Sequence, residues 1–170
     1  VMRLRTRKGR PAKPFAVMVR DLDMAREIAH IDAAEADLLT SRERPIVLLG
    51  AKTGALAESI APGTHTVGVM LPYTPLHYLL VDRPYVMTSA NFPGEPIIKD
   101  NGEALAKLPA IVDAFLLHDR DIYVHCDDSV MRVFDGNEYP VRRSRGYTPF
   151  PVKLPHTVPP VLAVGGELKS

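Results

Sequence analysis

A single cysteine, Cys126, is all the thiol this 170-residue chain carries. It permits no intramolecular disulfide and no cysteine-built zinc site. Net charge is also nearly absent: 21 Lys and Arg against 20 Asp and Glu leave +1. The chain as a whole is therefore no electrostatic nucleic-acid binder, and any basic site must be local. No apolar run approaches the ~20 residues of a membrane span. The basic N-terminal stretch is not followed by the apolar segment of a signal peptide, so the expected location is the cytoplasm. The sequence holds no P-loop, no defensible Ser-His-Asp or Cys-His arrangement, no internal repeat and no low-complexity segment.

What is present is a globular composition, 46% hydrophobic and 24% charged, at the length of one domain. Sixteen prolines cut it into short elements. Phe15 to Val19 reads as a buried strand, and 22–30 as a helix with Leu22, Ala25, Ile28 and Ala29 on one face. Asp32 with Glu35 three residues on forms a capping box for a second helix through Leu39. "RPIVLLG" is a strand closed by glycine, and Val67, Val69 and Leu71 alternate as in a half-buried strand. "TPLHYLLV" opens a helix with proline after threonine; His77 and Tyr78 are expected to pack there. "RPYVMTSA" is a strand running into a polar turn, and "NGEALAKLPAIV" is helical up to Pro109. "DAFLLHD", "DIYVHC", "SVMRVF" and "YPVRR" are strand candidates, the last two joined by an Asp-Gly hairpin, with Cys126 a small buried hydrophobe. His30 and His65 belong on the surface. The expected class is α/β.

From Pro149 to Pro160 five prolines fall in twelve positions, a stiffened extended linker. The chain opens on "VMRLR" and closes on "VLAVGGELKS", and both ends are expected to be cut from something longer.

Four stretches carry candidate chemistry. Six basic residues fall between Arg3 and Lys13. Among them Lys8 and Arg10, two apart on a segment read as extended, share a side, with Gly9 between them allowing close approach. A lysine point charge beside an arginine fork suits a polyphosphate; a solvated basic tail is the bland alternative. In "VMTSANFPGEP" a strand delivers Thr88, Ser89 and Asn91 to its carboxyl end, where α/β sheets bind ligands, although a plain polar turn fits equally. "HDRDIYVHCDDSVMR" mixes His118, Asp119, Arg120, His125, Asp127, Asp128 and Ser129. A metal cluster is disfavoured there, because extended Asp127 and Asp128 would face opposite sides; Ser129 is a candidate hydroxyl for a site. In "VRRSRGYTP", Arg142, Arg143 and Arg145 suit anion recognition. Sequence alone does not bring the two basic clusters together.

These stretches, with "VGVMLPYTPLHYLL", occur in an order and spacing that resembles the YrdC-like domain of the HypF carbamoyltransferase family of [NiFe]-hydrogenase maturation. The resemblance runs from about Arg3 to Pro151. It implies a YrdC-like α/β fold, a twisted mixed sheet with flanking helices and a concave basic face, over 1–150. It implies that the first strand and a glycine-rich turn lie upstream of Val1, that 151–160 is the linker, and that 161–170 opens the following transferase domain. The implied reaction joins carbamate, derived from carbamoyl phosphate, to ATP with Mg²⁺, giving carbamoyl-adenylate and pyrophosphate. The remaining HypF domains in cis then pass the carbamoyl group to the C-terminal cysteine of HypE. The family's motifs fall on Lys8 and Arg10 (catalytic, at the β- and γ-phosphates), on Ser89, Asn91 and Ser129, and on Arg143 or Arg145 (nucleotide-binding). No protein ligand for the metal is assigned. Met70 stands where free-standing YrdC proteins usually carry arginine, which favours the HypF type, whereas His125, where HypF sequences often have arginine, and Pro93, where they have a small polar residue, depart from the HypF pattern. The rival readings are threonylcarbamoyl-adenylate synthesis for tRNA modification, O-carbamoyl transfer to a small molecule, and a non-catalytic double-stranded RNA-binding module.

Overall fold

The computed structural model describes residues 1–162. In chain order the elements are α1 (Met2–Arg7), β1 (Ala16–Met18), α2 (Leu22–Ile28), β2 (Ala29–His30), α3 (Ala33–Thr40) and β3 (Ile46–Ala51). After a 3₁₀ turn at Glu58–Ile60 come β4 (Thr66–Met70), α4 (Pro75–Leu80), β5 (Tyr85–Met87), α5 (Asn101–Lys107), β6 (Val130–Phe134) and β7 (Asn137–Arg142). One mixed seven-stranded sheet results, in the order β5-β1-β4-β3-β6-β7, with β2 paired to the far end of β3. β1 runs parallel to β4 and β3 parallel to β6; the other pairs are antiparallel. The expected α/β class, a mixed sheet with flanking helices, is what is found.

Local chemistry starts the helices where it should. Asp21 accepts from the Met24 N–H, Thr74 from His77 N–H with Pro75 at the first helical position, and Asp100 from Glu103 N–H. Asp32 and Glu35 form the reciprocal capping box. Asp135 and Gly136, both at positive φ, make the β6–β7 turn.

The register explains the core. Val17 pairs with Val86 and Val69, Val69 with Val47, and Val47 with Met131. With Leu49 and Val67, these line one face and pack on Ala25, Ile28, Leu38 and Leu39 of α2 and α3. Because side chains alternate along a strand, the next residues face the other way: Ala16 pairs with Gly68, and Gly68 with Leu48. β4 is expected to be half-buried, yet Val67 to Met70 are all buried, because its second face is covered as well: Met70 packs with Met18 and Val81, and the Ile46 and Leu48 side chains lie over Gly68.

Several local expectations are corrected. Lys8 and Arg10 do not share an extended segment: Lys8 caps α1 in helical geometry and Gly9 turns the chain at φ 57°. "DAFLLHD" and "DIYVHC" are not strands. Residues 113–129 are irregular, and Leu116, Leu117, Tyr123 and Val124 are exposed, as is Cys126. Short apolar runs become strands only where a neighbour takes their hydrogen bonds, and the β3 edge is taken by β6, which begins at Val130. His77 does pack, edge-on to Tyr73 with centroids 4.5 Å apart, but Tyr78 is exposed. His30 and His65 are exposed as expected. Residues 151–162 are exposed, with no helix or strand. The expected domain start at 161–170 lies outside the described residues beyond Leu162. No helix among the described residues is long and apolar enough to cross a membrane.

Candidate functional site

The sheet face turned away from α2 and α3 floors a cleft of about 600 Å³, within the range of small-molecule sites. Ala16, Leu48, Gly68, Met70, Met87 and Val130 make an apolar floor. The walls are polar: Arg10 and Lys13 from the N-terminal loop, Thr88 and Ser89 after β5, Tyr73 before α4, Asp127 and Asp128 before β6, and Arg142 at the end of β7.

The N-terminal wall is built on Arg5. Its side chain is 5% exposed and donates to the carbonyls of Arg10, Lys13, Ser59 and Ile60 at 2.6–3.1 Å. This guanidinium folds the 10–14 loop onto the body of the protein, since buried backbone carbonyls need partners. Phe15 lies between two cations, with Arg5 4.6 Å and Arg10 4.7 Å from its ring centre. Arg10 also donates to Thr88 Oγ1 at 3.2 Å and to the carbonyls of Lys13 and Pro14. Its guanidinium sits in the wall with its pKa lowered, first by burial and then by the positive charges of Arg5 and Arg142. An anion in the cleft would relieve that repulsion.

Lys8 stands behind this wall, 5% exposed. Its Nζ donates to Ser89 O at 2.7 Å, Asn91 O at 2.9 Å and Asn91 Oδ1 at 3.4 Å. Ser89 Oγ donates to the same Asn91 Oδ1 at 2.7 Å, and Asn91 Nδ2 donates to Glu95 O at 2.7 Å. The polar turn after β5 is thus organised around a buried ammonium.

The opposite wall is built around Ser129, fully buried, whose Oγ donates to Arg145 O at 2.9 Å and accepts from Ser144 N–H at 2.7 Å. Arg145 stacks 3.6 Å over the Tyr73 ring centre and donates to Asp128 Oδ1, Glu43 O and Arg44 O at 2.8–2.9 Å. Arg143 donates to Tyr147 O and Phe150 O. Arg142 faces the cleft, 3.7 Å from Asp127.

Of the residues singled out in sequence, Arg10 and Ser89 line the cleft, and Lys8 and Asn91 are bonded to Ser89 directly behind it. Ser129, Arg143 and Arg145 are bonded into the backbone of the opposite wall. The two basic clusters do meet, through Arg10 and Arg142. Asp127 and Asp128, expected to face apart, both reach the cleft because 125–129 is not a strand. Thr88 and Arg142, candidates by residue type to which the resemblance gave no role, line it too, as do Lys13 and Tyr73, which were not singled out. Thr88 and Arg142 lay inside the right motifs. Tyr73 carried no signal beyond its place before the α4 cap. The described residues contain no group of three or more His, Cys, Asp or Glu placed to hold a metal.

Residues 1–144 match the Sua5/YciO/YrdC family model, described as telomere recombination. The carbamoyltransferase HypF2 of Cupriavidus necator is 50% identical over 193 aligned residues, covering all of this chain and 24% of that protein. A crystal structure of full-length HypF in its phosphate- and nucleotide-bound form superposes with a TM-score of 0.84 at 52% identity, covering 87% of this chain and 24% of that one. Likeness to Sua5 is more distant: the P. abyssi Sua5 structure complexed with L-threonine gives a TM-score of 0.71 at 20% identity over 84% of this chain and 44% of that chain, a likeness of fold alone. The chain spans about a quarter of the length of the curated relatives it matches.

Proposed function

This chain belongs to the Sua5/YciO/YrdC family, in the form carried by HypF carbamoyltransferases, and from that premise we propose that it joins carbamate to ATP. A carbamate oxygen attacks the α-phosphorus, the bond from the α-phosphorus to the bridging oxygen breaks, and pyrophosphate leaves with that oxygen. The product, carbamoyl-adenylate, passes to a transferase domain in cis and from there to the C-terminal cysteine of HypE. Carbamoyl phosphate is the source of the carbamate, and the reaction belongs to the cytoplasm.

One observation carries the reading. Arg10 and Arg142, from opposite ends of the chain, present their charges to one cleft with an apolar floor and hydroxyls at its rim. Such a site suits a flat base joined to a polyphosphate. Nucleotidyl transfer asks for positioning and charge neutralisation more than for covalent work by the protein. Arg10 reaches phosphate oxygens directly, with Arg142 opposite. Lys8 contributes its charge through the Ser89–Asn91 turn it holds, and the Ser89 hydroxyl orients the nucleotide. Ser129, Arg143 and Arg145 shape the far wall. Mg²⁺ arrives with the ATP.

The test is carbamate-dependent exchange of labelled pyrophosphate into ATP by the full protein, with ATP and duplex RNA titrated across salt. Exchange that is lost on Arg10→Ala supports the reading. Salt-steep RNA binding without ATP binding overturns it.

A further inference from the structure

The cleft has a second chemical character, opposite to its cationic one. Tyr73 and Asp128 line it side by side, and Arg145 brackets both: it lies 3.6 Å over the Tyr73 ring centre and donates from Nε to Asp128 Oδ1 at 2.9 Å. Nη1 and Nη2 of Arg145 also donate to Glu43 O and Arg44 O, so this arginine ties its neighbours to the body of the protein. The phenol of Tyr73 is pushed up to about 12, first by burial and then by the Asp128 charge. Burial keeps it a neutral phenol beside that carboxylate. An ionised carboxylate offers about four lone-pair sites and donates nothing; Arg145 Nε occupies one. What Asp128 keeps toward the cleft is acceptor capacity only. Across from it stand the donors Arg10 and Lys13 of the N-terminal wall. A ligand complementary to both sides is anionic at one end and carries an N–H donor at the other.

We propose that Asp128, oriented by Arg145 and flanked by Tyr73, is a specificity-determining residue that accepts a hydrogen bond from a substrate –NH₂ group. The inference rests on the cleft being the nucleotide and carbamate site. Two groups there share this chemistry, the 6-amino group of the base and the amino group of carbamate. A carboxylate that meets a 6-oxo base is left opposing an acceptor, and one that meets a methyl where the amine belongs loses its donor; selectivity follows from either mismatch.

The experiment uses the full protein and two variants. Asp128→Asn keeps the size but can turn an amide donor to the ligand. Tyr73→Phe keeps the stack and removes the oxygen. One arm compares ATP with ITP by calorimetry; the other compares carbamate with acetate, whose methyl replaces the amine, in pyrophosphate exchange. The wild type is expected to prefer ATP, or carbamate, by about tenfold. Asp128→Asn is expected to abolish that preference in one arm while tripolyphosphate binding stays within about twofold. The arm that moves names the group. If either variant loses its thermal transition, the other carries the measurement. Preferences unchanged in both variants, or absent from the wild type, overturn the inference while ATP binding leaves the proposed function standing. A wild type that binds no nucleotide overturns both.

Discussion

Lys8 donates from Nζ to the Ser89 carbonyl at 2.7 Å, so a cation of the N-terminal basic run holds the turn that ends β5. The ammonium is 5% exposed and also serves Asn91 O and Asn91 Oδ1. Removing it takes the Lys8 donor from the Asn91 carbonyl and leaves Ser89 O with the weaker Asn91 N–H at 3.1 Å. Lys8→Ala is therefore expected to cost about 2–3 kcal/mol of stability in denaturant titration, and to weaken nucleotide binding as the turn loosens. A surface Lys→Ala change would move stability by less than about 0.5 kcal/mol, and a result in that range would refute the bracing role.

Arg10 is expected to behave differently. Its fork is half-solvated in the cleft wall, and its neighbours Arg5 and Arg142 repel it. Arg10→Ala should weaken ATP binding by about ten- to a hundredfold, the effect of losing charge-assisted hydrogen bonds. Adenosine affinity should change by less than about twofold. Arg10→Lys should recover only part of the loss, because the planar fork is gone. Equal losses for ATP and adenosine would place Arg10 away from the phosphates.

Legibility followed how local the signal was. The α3 capping box, the proline-opened α4 and the Asp-Gly hairpin each depend on residues within one turn of one another, and each was readable. Arg5 was not distinguishable from Arg3 and Arg7. What separates it is the approach of Ser59, Ile60 and the 10–13 carbonyls, a tertiary fact. Arg3 and Arg7 instead clasp Asp113 at the surface.

The late arginines were ambiguous for a different reason. The β6–β7 ladder slips between Val130 and Met131, so Val130 pairs with Arg142 and Met131 with Pro140. A bulge of this kind breaks the period-two count, and one residue of slip turns a side chain to the other face. Arg142 thereby reaches the cleft that counting by twos from Arg143 and Arg145 would assign elsewhere.

Gly68 is where the cleft floor is thinnest. A Cβ built there would lie 2.9 Å from Ile46 Cγ2 and 3.8 Å from the Ala16 backbone. Ile46 is β-branched and stiff at χ1, so its methyl does not swing aside. Gly68→Ala is expected to destabilise by about 1–3 kcal/mol through overpacking. In an Ile46→Ala background, which has its own packing cost, Gly68→Ala should cost little, a favourable coupling measurable in a double-mutant cycle. Strictly additive effects would show that the floor yields in another way.

His77 supplies a pH dependence. Its Nδ1 is buried with no hydrogen-bond partner among the described residues, and its ring packs edge-on to Tyr73. Burial is the first cause pushing its pKa below the ordinary 6.5; Arg145 adds to this and Asp128 opposes it. The unfolded chain therefore binds the His77 proton at a pH where the folded protein does not. Stability from this group is fully present above about pH 6.5 and is lost as pH falls through the folded value. His77→Phe keeps a ring against Tyr73 and removes the proton. Chemical denaturation from about pH 8 to about pH 5 should give a steeper loss for the wild type than for His77→Phe, with the two profiles parallel above about pH 7. Parallel profiles throughout would mean that the buried nitrogen accepts its proton in the folded state at no cost, with a donor-accepting group close enough to serve it.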